Sequence, residues 1–291
     1  MKKDIKTELV NLISAKIESS QRLPWDKGLL NHVHEPVNAK TMHAYRGINY
    51  MILSFLASGE TSEFVTFKQV QELGGKVKKG AKSLPVVYWS KWNQAEHRPA
   101  EEGDEEEDCY FFLKHYRVFE IESQTDGIER RREVLTRPNM PIEEAEKFIA
   151  TFAERTGVEV THETSTKAGN GSAYYRPSAH RVQIPPREEF KTSEAYVATF
   201  FHELVHSTGK AMKRATAGLQ EDREKYSREE VVAEFGAALL CKRFGIESQT
   251  DNTAAYLQGW SEALRENPDW LINGANAAQK AVDYMIETVS A

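Results

Sequence analysis

His202, Glu203 and His206 stand in the pattern His-Glu-x-x-His within residues 200–209. On an α-helix, residues four apart share a face, so both imidazoles can address one metal ion. Glu203, one position further round, is placed to hold and deprotonate a water at that ion. Zinc hydrolases need this set: neutral imidazole ligands, an open coordination position and a carboxylate base. The neighbouring Ala195, Val197, Ala198, Phe200, Phe201, Leu204 and Val205 make the helix apolar, and Gly209 supplies a stop. Imidazoles and a carboxylate inside apolar sequence are costly unless partnered. That favours a ligand role over a solvated helix face.

A catalytic zinc site usually takes three protein ligands. No His follows His206, so a downstream third ligand must be acidic. The candidates fall in residues 227–240, where Ser227 followed by Glu230 predicts a capping box and a helix start. In that helix Glu229, Ala233 and Gly236 share a face at i, i+4 and i+7. Small residues there allow close approach to the His-Glu-x-x-His helix, so Glu229 is the expected third ligand. Glu230 and Glu234, themselves an i, i+4 pair, compete as ligand or as partner to a ligating His. Upstream, residues 173–177 and 181–185 read as two short strands around a turn. They form either a core hairpin or a cleft wall whose edge could hold an extended peptide.

These elements sit in a chain of 291 residues, long enough for two domains. Hydrophobic content of 40% with 28% charged residues describes a globular protein, and no apolar run approaches a membrane span. Residues 1–20 predict an amphipathic helix (Leu9, Leu12, Ile13, Ile17) with no signal-peptide core. Cys109 and Cys241 make no disulfide framework and read as ordinary buried thiols. A reducing cytoplasm is the expected location. The net charge of -6 conceals an asymmetry: residues 1–92 carry 14 Lys/Arg against 8 Asp/Glu, whereas residues 96–108 hold 8 acids and only Arg98. The first third therefore reads as a separate basic module.

Within that module, residues 45–56 predict a buried helix, and Thr66 caps a helix that Gly74 and Gly75 stop. A basic turn over 76–85 leads into a strand at 86–92, expected to pair with 110–119 across the acidic loop. Residues 137–141 read as the linker to a second domain, whose first helix starts at Ile142. Binding single-stranded nucleic acid takes cations for phosphates and aromatic faces for bases. Arg46, Lys68, Lys76, Lys78, Lys79, Lys82 and Trp89 are the candidate contacts, with Lys40, Lys91, Trp25, Tyr45, Tyr88 and Trp92 beside them. No zinc finger or major-groove recognition helix is evident, so single-stranded DNA is the expected partner.

Pro24-Trp25, the run from Pro36 to Lys40, Tyr45 to Asn49, Thr66 to Gln69, Gly74 to Gly80 and Val86 to Trp89 together resemble the ArdC-type antirestriction proteins of conjugative plasmids. The resemblance covers nearly the whole chain and implies an α+β protein of two domains. Residues 1–135 would be a single-stranded-DNA-binding domain shared with some plasmid primases. Residues 136–291 would be a zincin-like metallopeptidase domain holding Zn2+ or another divalent metal. The implied function is plasmid antirestriction: binding incoming single-stranded DNA during conjugation and sparing it from host restriction endonucleases. The alternative is an active metalloprotease that cleaves a host protein, with the DNA-binding domain as its targeting module. The acidic 96–108 segment departs from the family pattern and is read as a loop rather than a DNA mimic.

Overall fold

The structure is a computed structural model that describes residues 4–20, 34–56, 61–93, 98–99, 109–133, 142–163, 173–190, 192–214, 223–246, 262 and 264–291. Through the N-terminal half the chain runs α1 (Ile5–Ser20), β1 (Val37–Asn38), α2 (Gly47–Leu56), β2 (Glu63–Thr66), α3 (Phe67–Glu72), β3 (Lys76–Val77), β4 (Leu84–Asn93), β5 (Arg98–Pro99), β6 (Cys109–Glu120), α4 (Ile121–Gln124) and β7 (Thr125–Asp126). Valine and aromatic residues along β4 and β6 suit paired strands. The two run antiparallel from Leu84 opposite Val118 to Asn93 opposite Cys109. They are the spine of a sheet ordered β1-β2-β6-β4-β5, while β3 and β7 pair separately. The expected Thr66 cap is a full capping box: the Thr66 hydroxyl accepts from the Gln69 N–H, and the Thr66 N–H donates to Gln69 Oε1 at 2.8 Å.

The C-terminal half comprises α5 (Ile142–Thr156), β8 (Glu159–Thr161), β9 (Tyr174–Arg176), β10 (Arg181–Gln183), α6 (Ser193–Ser207), α7 (Arg223–Phe244) and α8 (Pro268–Ser290). The two strands read around a turn are β9 and β10, paired antiparallel, with β8 parallel on the other side of β10. Among the described residues β9 is thus an edge. The helix expected to start at Ser227 begins at Arg223 instead, because the four preceding residues are compatible with helix and extend it. Phe148, Phe201 and Phe244 form an aromatic cluster where α5, α6 and α7 meet.

The two halves share a core. Ile5, Leu9, Val10 and Ile13 of α1 and Ile48, Met51 and Ile52 of α2 are buried in the same cluster as Phe201, Phe235, Leu271 and Val282. Arg117 of β6 reaches Glu8 of α1 at 2.8 Å, tying the long hairpin to this arrangement. The boundary expected at residue 135 lies among residues 134–141, outside the described residues, as does most of the acidic segment. No described helix is long and apolar enough to cross a membrane.

Helix α7 approaches α6 where it lacks a side chain. A Cβ built on Gly236 would stand 2.7 Å from Val205 Cγ2, inside normal contact distance. Gly236→Ala is therefore expected to lower unfolding stability by about 1–3 kcal/mol, as overpacked cores do, although Ala is the better helix former. Denaturant unfolding measures this, and an equal or higher stability would mean that the helices are less tightly apposed.

Candidate metal centre and aromatic hairpin

Helix α6 starts at Thr192, whose side chain accepts from the Ala195 N–H at 3.1 Å. Its apolar residues bury it on nearly all sides, so the few polar groups it carries are placed by the packing. His202 and His206 bring their Nε2 atoms to 3.2 Å of each other. Glu230 of α7 completes the group, with one oxygen 3.5 Å from His202 Nε2 and the other 3.3 Å from His206 Nε2. Among the described residues His202, His206 and Glu230 are the set whose ligand atoms lie close enough to hold one metal ion.

The donor set fits a divalent cation. Two nitrogens each about 2.0–2.1 Å from a tetrahedral ion stand roughly 3.3–3.4 Å apart, close to the separation observed. The outward nitrogens also face carboxylates: His206 Nδ1 is 3.3 Å from Glu229 Oε1, and His202 Nδ1 is 4.0 Å from Glu234 Oε1. A carboxylate behind an imidazole fixes its tautomer and leaves the inner nitrogen free to ligate.

Glu229, the expected third ligand, stands behind His206 rather than beside the convergent atoms. Arg214 grips it with Nε 3.0 Å from Oε2 and Nη2 2.9 Å from Oε1. The same guanidinium donates to the Thr208 hydroxyl and to the Val205 carbonyl, binding the end of α6 to α7. Adjacent helix positions differ by about 100°, so the choice between residues 229 and 230 turned on helix phase. Sequence offered no signal for Arg214, an isolated cation beyond the motif helix.

Electrostatics suit a cation. Burial disfavours charge on both imidazoles, but Glu230 and Glu234 around His202, and Glu229 and Glu230 around His206, outweigh it. Both are raised, His206 to about 10. Burial also opposes charge on Glu229 and Glu230, yet their His and Arg partners hold both below the usual carboxylate range. A divalent ion would take the place of the protons that these carboxylates otherwise hold on the imidazoles. Glu203 is buried and its pKa is raised by that burial, against the pull of His202 and His206 and a hydrogen bond from the Tyr175 backbone of β9. A raised pKa suits a carboxylate that must take up and return a proton.

The nucleic-acid candidates divide. Lys68, Lys76, Lys79 and Lys82 are exposed. Lys78 is half-buried and donates to the Glu122 and Ser123 carbonyls at 3.0 and 3.2 Å, fastening the turn to α4. Arg46 pairs with Asp283 of α8. Trp89 is 50% exposed in the β4–β6 hairpin, where Tyr88, Tyr110 and, at 64%, Phe111 are also exposed. Lysines interleave with these rings: Lys91 lies 5.9 Å from the Phe111 centroid, and Lys114 lies 4.9 Å from that of Phe112. Tyr110, Phe111 and Lys114 were not among the sequence candidates, because aromatics in a strand ordinarily read as core.

Metal analysis separates the acids. Glu230→Gln is expected to lower affinity most and leave less than one ion per chain after dialysis. Glu229→Gln and Arg214→Met are expected to keep the site with affinity lower by about 10–100-fold, the usual effect of losing a partner behind a ligand. Greater loss at Glu229 than at Glu230 would reverse the assignment.

Comparisons with known proteins agree with this geometry. Residues 3–119 match the family model described as the N-terminal domain of anti-restriction factor ArdC, and residues 143–277 match a zincin-like metallopeptidase model. The chain is similar to protein y4eC of Sinorhizobium fredii, with 32% identity covering 97% of this chain and 91% of that protein. It is 30% identical to the DNA primase TraC of Escherichia coli across 90% of this chain, which spans only 18% of the primase. The metal-free crystal structure of antirestriction protein ArdC from plasmid R388 superposes with a TM-score of 0.74 at 28% identity, over 99% of this chain and 98% of that one. Its Mn(II)-bound form gives 0.73 at 29% identity, over 99% of both chains. With both domain models in order along the chain, and a relative and a solved structure matched nearly end to end, the chain belongs to the ArdC-type antirestriction family, with a zincin-like fold that implies a divalent metal.

Proposed function

We propose that the protein binds single-stranded DNA through the exposed face of the β4–β6 hairpin and protects that DNA from host restriction endonucleases during conjugation. The observation that carries this reading is the alternation of solvent-facing rings with lysines along two paired strands. A packed core has no use for exposed Trp89 and Phe111, which share one face of the hairpin, whereas unstacked bases find in them the faces they lose on leaving a duplex. Lys91, on the same face and 5.9 Å from the Phe111 centroid, is close enough to answer a phosphate between those bases. Lys76, Lys79 and Lys82 extend the positive surface along the adjoining turn. The family supports the same reading, since its name records antirestriction and the TraC relatives are named as DNA primases.

A second reading rests on the metal centre, and one observation favours it: the buried Glu203 lies beside the edge strand β9, through Tyr175. In this reading the protein hydrolyses a peptide bond of a host protein. His202, His206 and Glu230 hold the ion, proposed to be Zn2+, and a bound divalent ion supplies Lewis acidity. Glu203 takes the proton of the attacking water and returns it to the leaving amine. The edge of β9, outermost among the described strands, aligns an extended chain by backbone pairing. Glu229 and Arg214 keep the His206 ring from turning while the proton moves.

The two readings part in a transfer experiment between a donor carrying the plasmid and restricting or non-restricting recipients, at matched protein levels. Trp89→Ala with Phe111→Ala is expected to weaken single-stranded DNA binding by about 10-fold or more, since a stacked base contributes about 1–3 kcal/mol, and to lose most protection. Glu203→Gln is expected to keep substantial protection. Should Glu203→Gln abolish protection while fold, metal content and DNA affinity persist, the protease reading replaces the first.

A further inference from the structure

A second polar site lies away from the metal centre, where α2 and the 34–46 segment meet the C-terminal ends of α7 and α8. A cavity of about 350 Å³ opens there. Its lining combines Arg46, Arg132, Lys242 and Arg243 with Tyr50, Val282 and other apolar groups.

Lys242 is the informative residue. Its ammonium donates to the Ser54 hydroxyl at 3.2 Å and lies 4.8 Å above the Tyr50 ring, and neither neighbour carries a counter-charge. Burial pulls its pKa down to about 7, with only Glu35 acting in the opposite sense. Glu35 is exposed at the cavity rim, and its backbone carbonyl, not its carboxylate, accepts from Arg132 at 2.7 Å. Arg46 has Asp283 as its partner. Among the described residues Lys242 has no carboxylate in contact. A half-buried lysine without a paired carboxylate is expensive to keep charged. An anion entering the cavity would remove that cost.

Size and lining narrow the ligand. Binding cavities for small molecules begin at about 300 Å³ and combine apolar walls with a few convergent polar groups. Here the cations include planar guanidinium donors, which suit phosphate. Leu239, Val282 and Ile286 add apolar lining, which suits the body of an organic phosphate. We infer that this cavity binds a single phosphate-bearing nucleotide, with Lys242 and Arg132 on the phosphate and the base against the apolar lining of Leu239, Val282 and Ile286. The choice of a nucleotide over another phosphate ester leans on the nucleic-acid reading above; the anion site itself does not. Glu230 and Lys242 lie on the same helix, 12 residues apart and therefore about 18 Å along the axis at 1.5 Å per residue. The nucleotide site and the metal centre are distinct places on one rigid element.

Calorimetric titration of the full chain tests this with thymidine 5′-monophosphate, thymidine and inorganic phosphate. The monophosphate is expected to bind at least tenfold more tightly than either of the others. Lys242→Met and Arg132→Gln are each expected to weaken it tenfold or more while the protein still unfolds in one cooperative transition. Arg132→Gln keeps the test decisive should Lys242→Met fail to fold. Competition by an oligothymidylate with a 5′-phosphate, but not by one without it, would identify a strand end as the source. Competition by both would identify an internal nucleotide, and competition by neither a free nucleotide. Trp89→Ala/Phe111→Ala protein is expected to bind the monophosphate normally, so a failure of the hairpin reading leaves this result standing. Equal affinity for thymidine or inorganic phosphate, or unchanged affinity in both cavity variants, would overturn the inference.

Discussion

Helix α7 lies against α6 closely enough that a methyl group at Gly236 would collide with Val205, and the site depends on that distance. At this separation Glu230 reaches both imidazole Nε2 atoms at once. A shift of one ångström would leave one of those contacts to water. The approach buries Glu229 between the helices, where an unpartnered carboxylate would be costly. Arg214 resolves that cost with two hydrogen bonds to Glu229 while holding the α6 terminus through Thr208 and Val205. Packing sets the geometry, and the buried ion pair keeps the imidazole correctly turned. Either alone would give a looser site.

Helix α8 connects the halves of the molecule, packing on α1 and α2 as well as on α5 and α7. Residues of α1 and α2 are buried with those of α5 to α8 in one apolar cluster, so the N-terminal half does not end in a free-standing unit around its own sheet. The long β4–β6 hairpin emerges from this shared base and exposes rings toward its far end, where the core cannot cover them. Val86 and Val118 are buried, whereas Trp89 and Phe111, further along the same strands, are exposed. That gradient distinguishes structural aromatics from those available to a partner.

Local chemistry was the legible part of the sequence. The i, i+4 pair of imidazoles, the Thr66–Gln69 capping box, the β4–β6 pairing on either side of the acidic segment and the β9–β10 pairing each depend on residues near one another in sequence. Gly236 likewise signalled a close helix contact. Helical phase between distant elements was less legible: Glu229 and Glu230 are one residue apart, and only the docking of α7 on α6 distinguishes them. Arg214 could not be found at all, since its role exists only once two helices have met. Lys78 stands in the basic turn as expected, but its hydrogen bonds to the α4 carbonyls left no trace in composition. The cavity around Lys242 draws on residues from His34 to Ile286 and leaves no local trace.

A crystal structure or X-ray absorption measurement on protein loaded with a divalent ion tests the central claim most directly. The expected result is two imidazole Nε2 atoms, from His202 and His206, and a Glu230 oxygen at about 2.0–2.2 Å from the ion, with Glu229 still clasped by Arg214. An ion bound to Glu229 with Arg214 released, or an ion bound away from the two imidazoles, would contradict it.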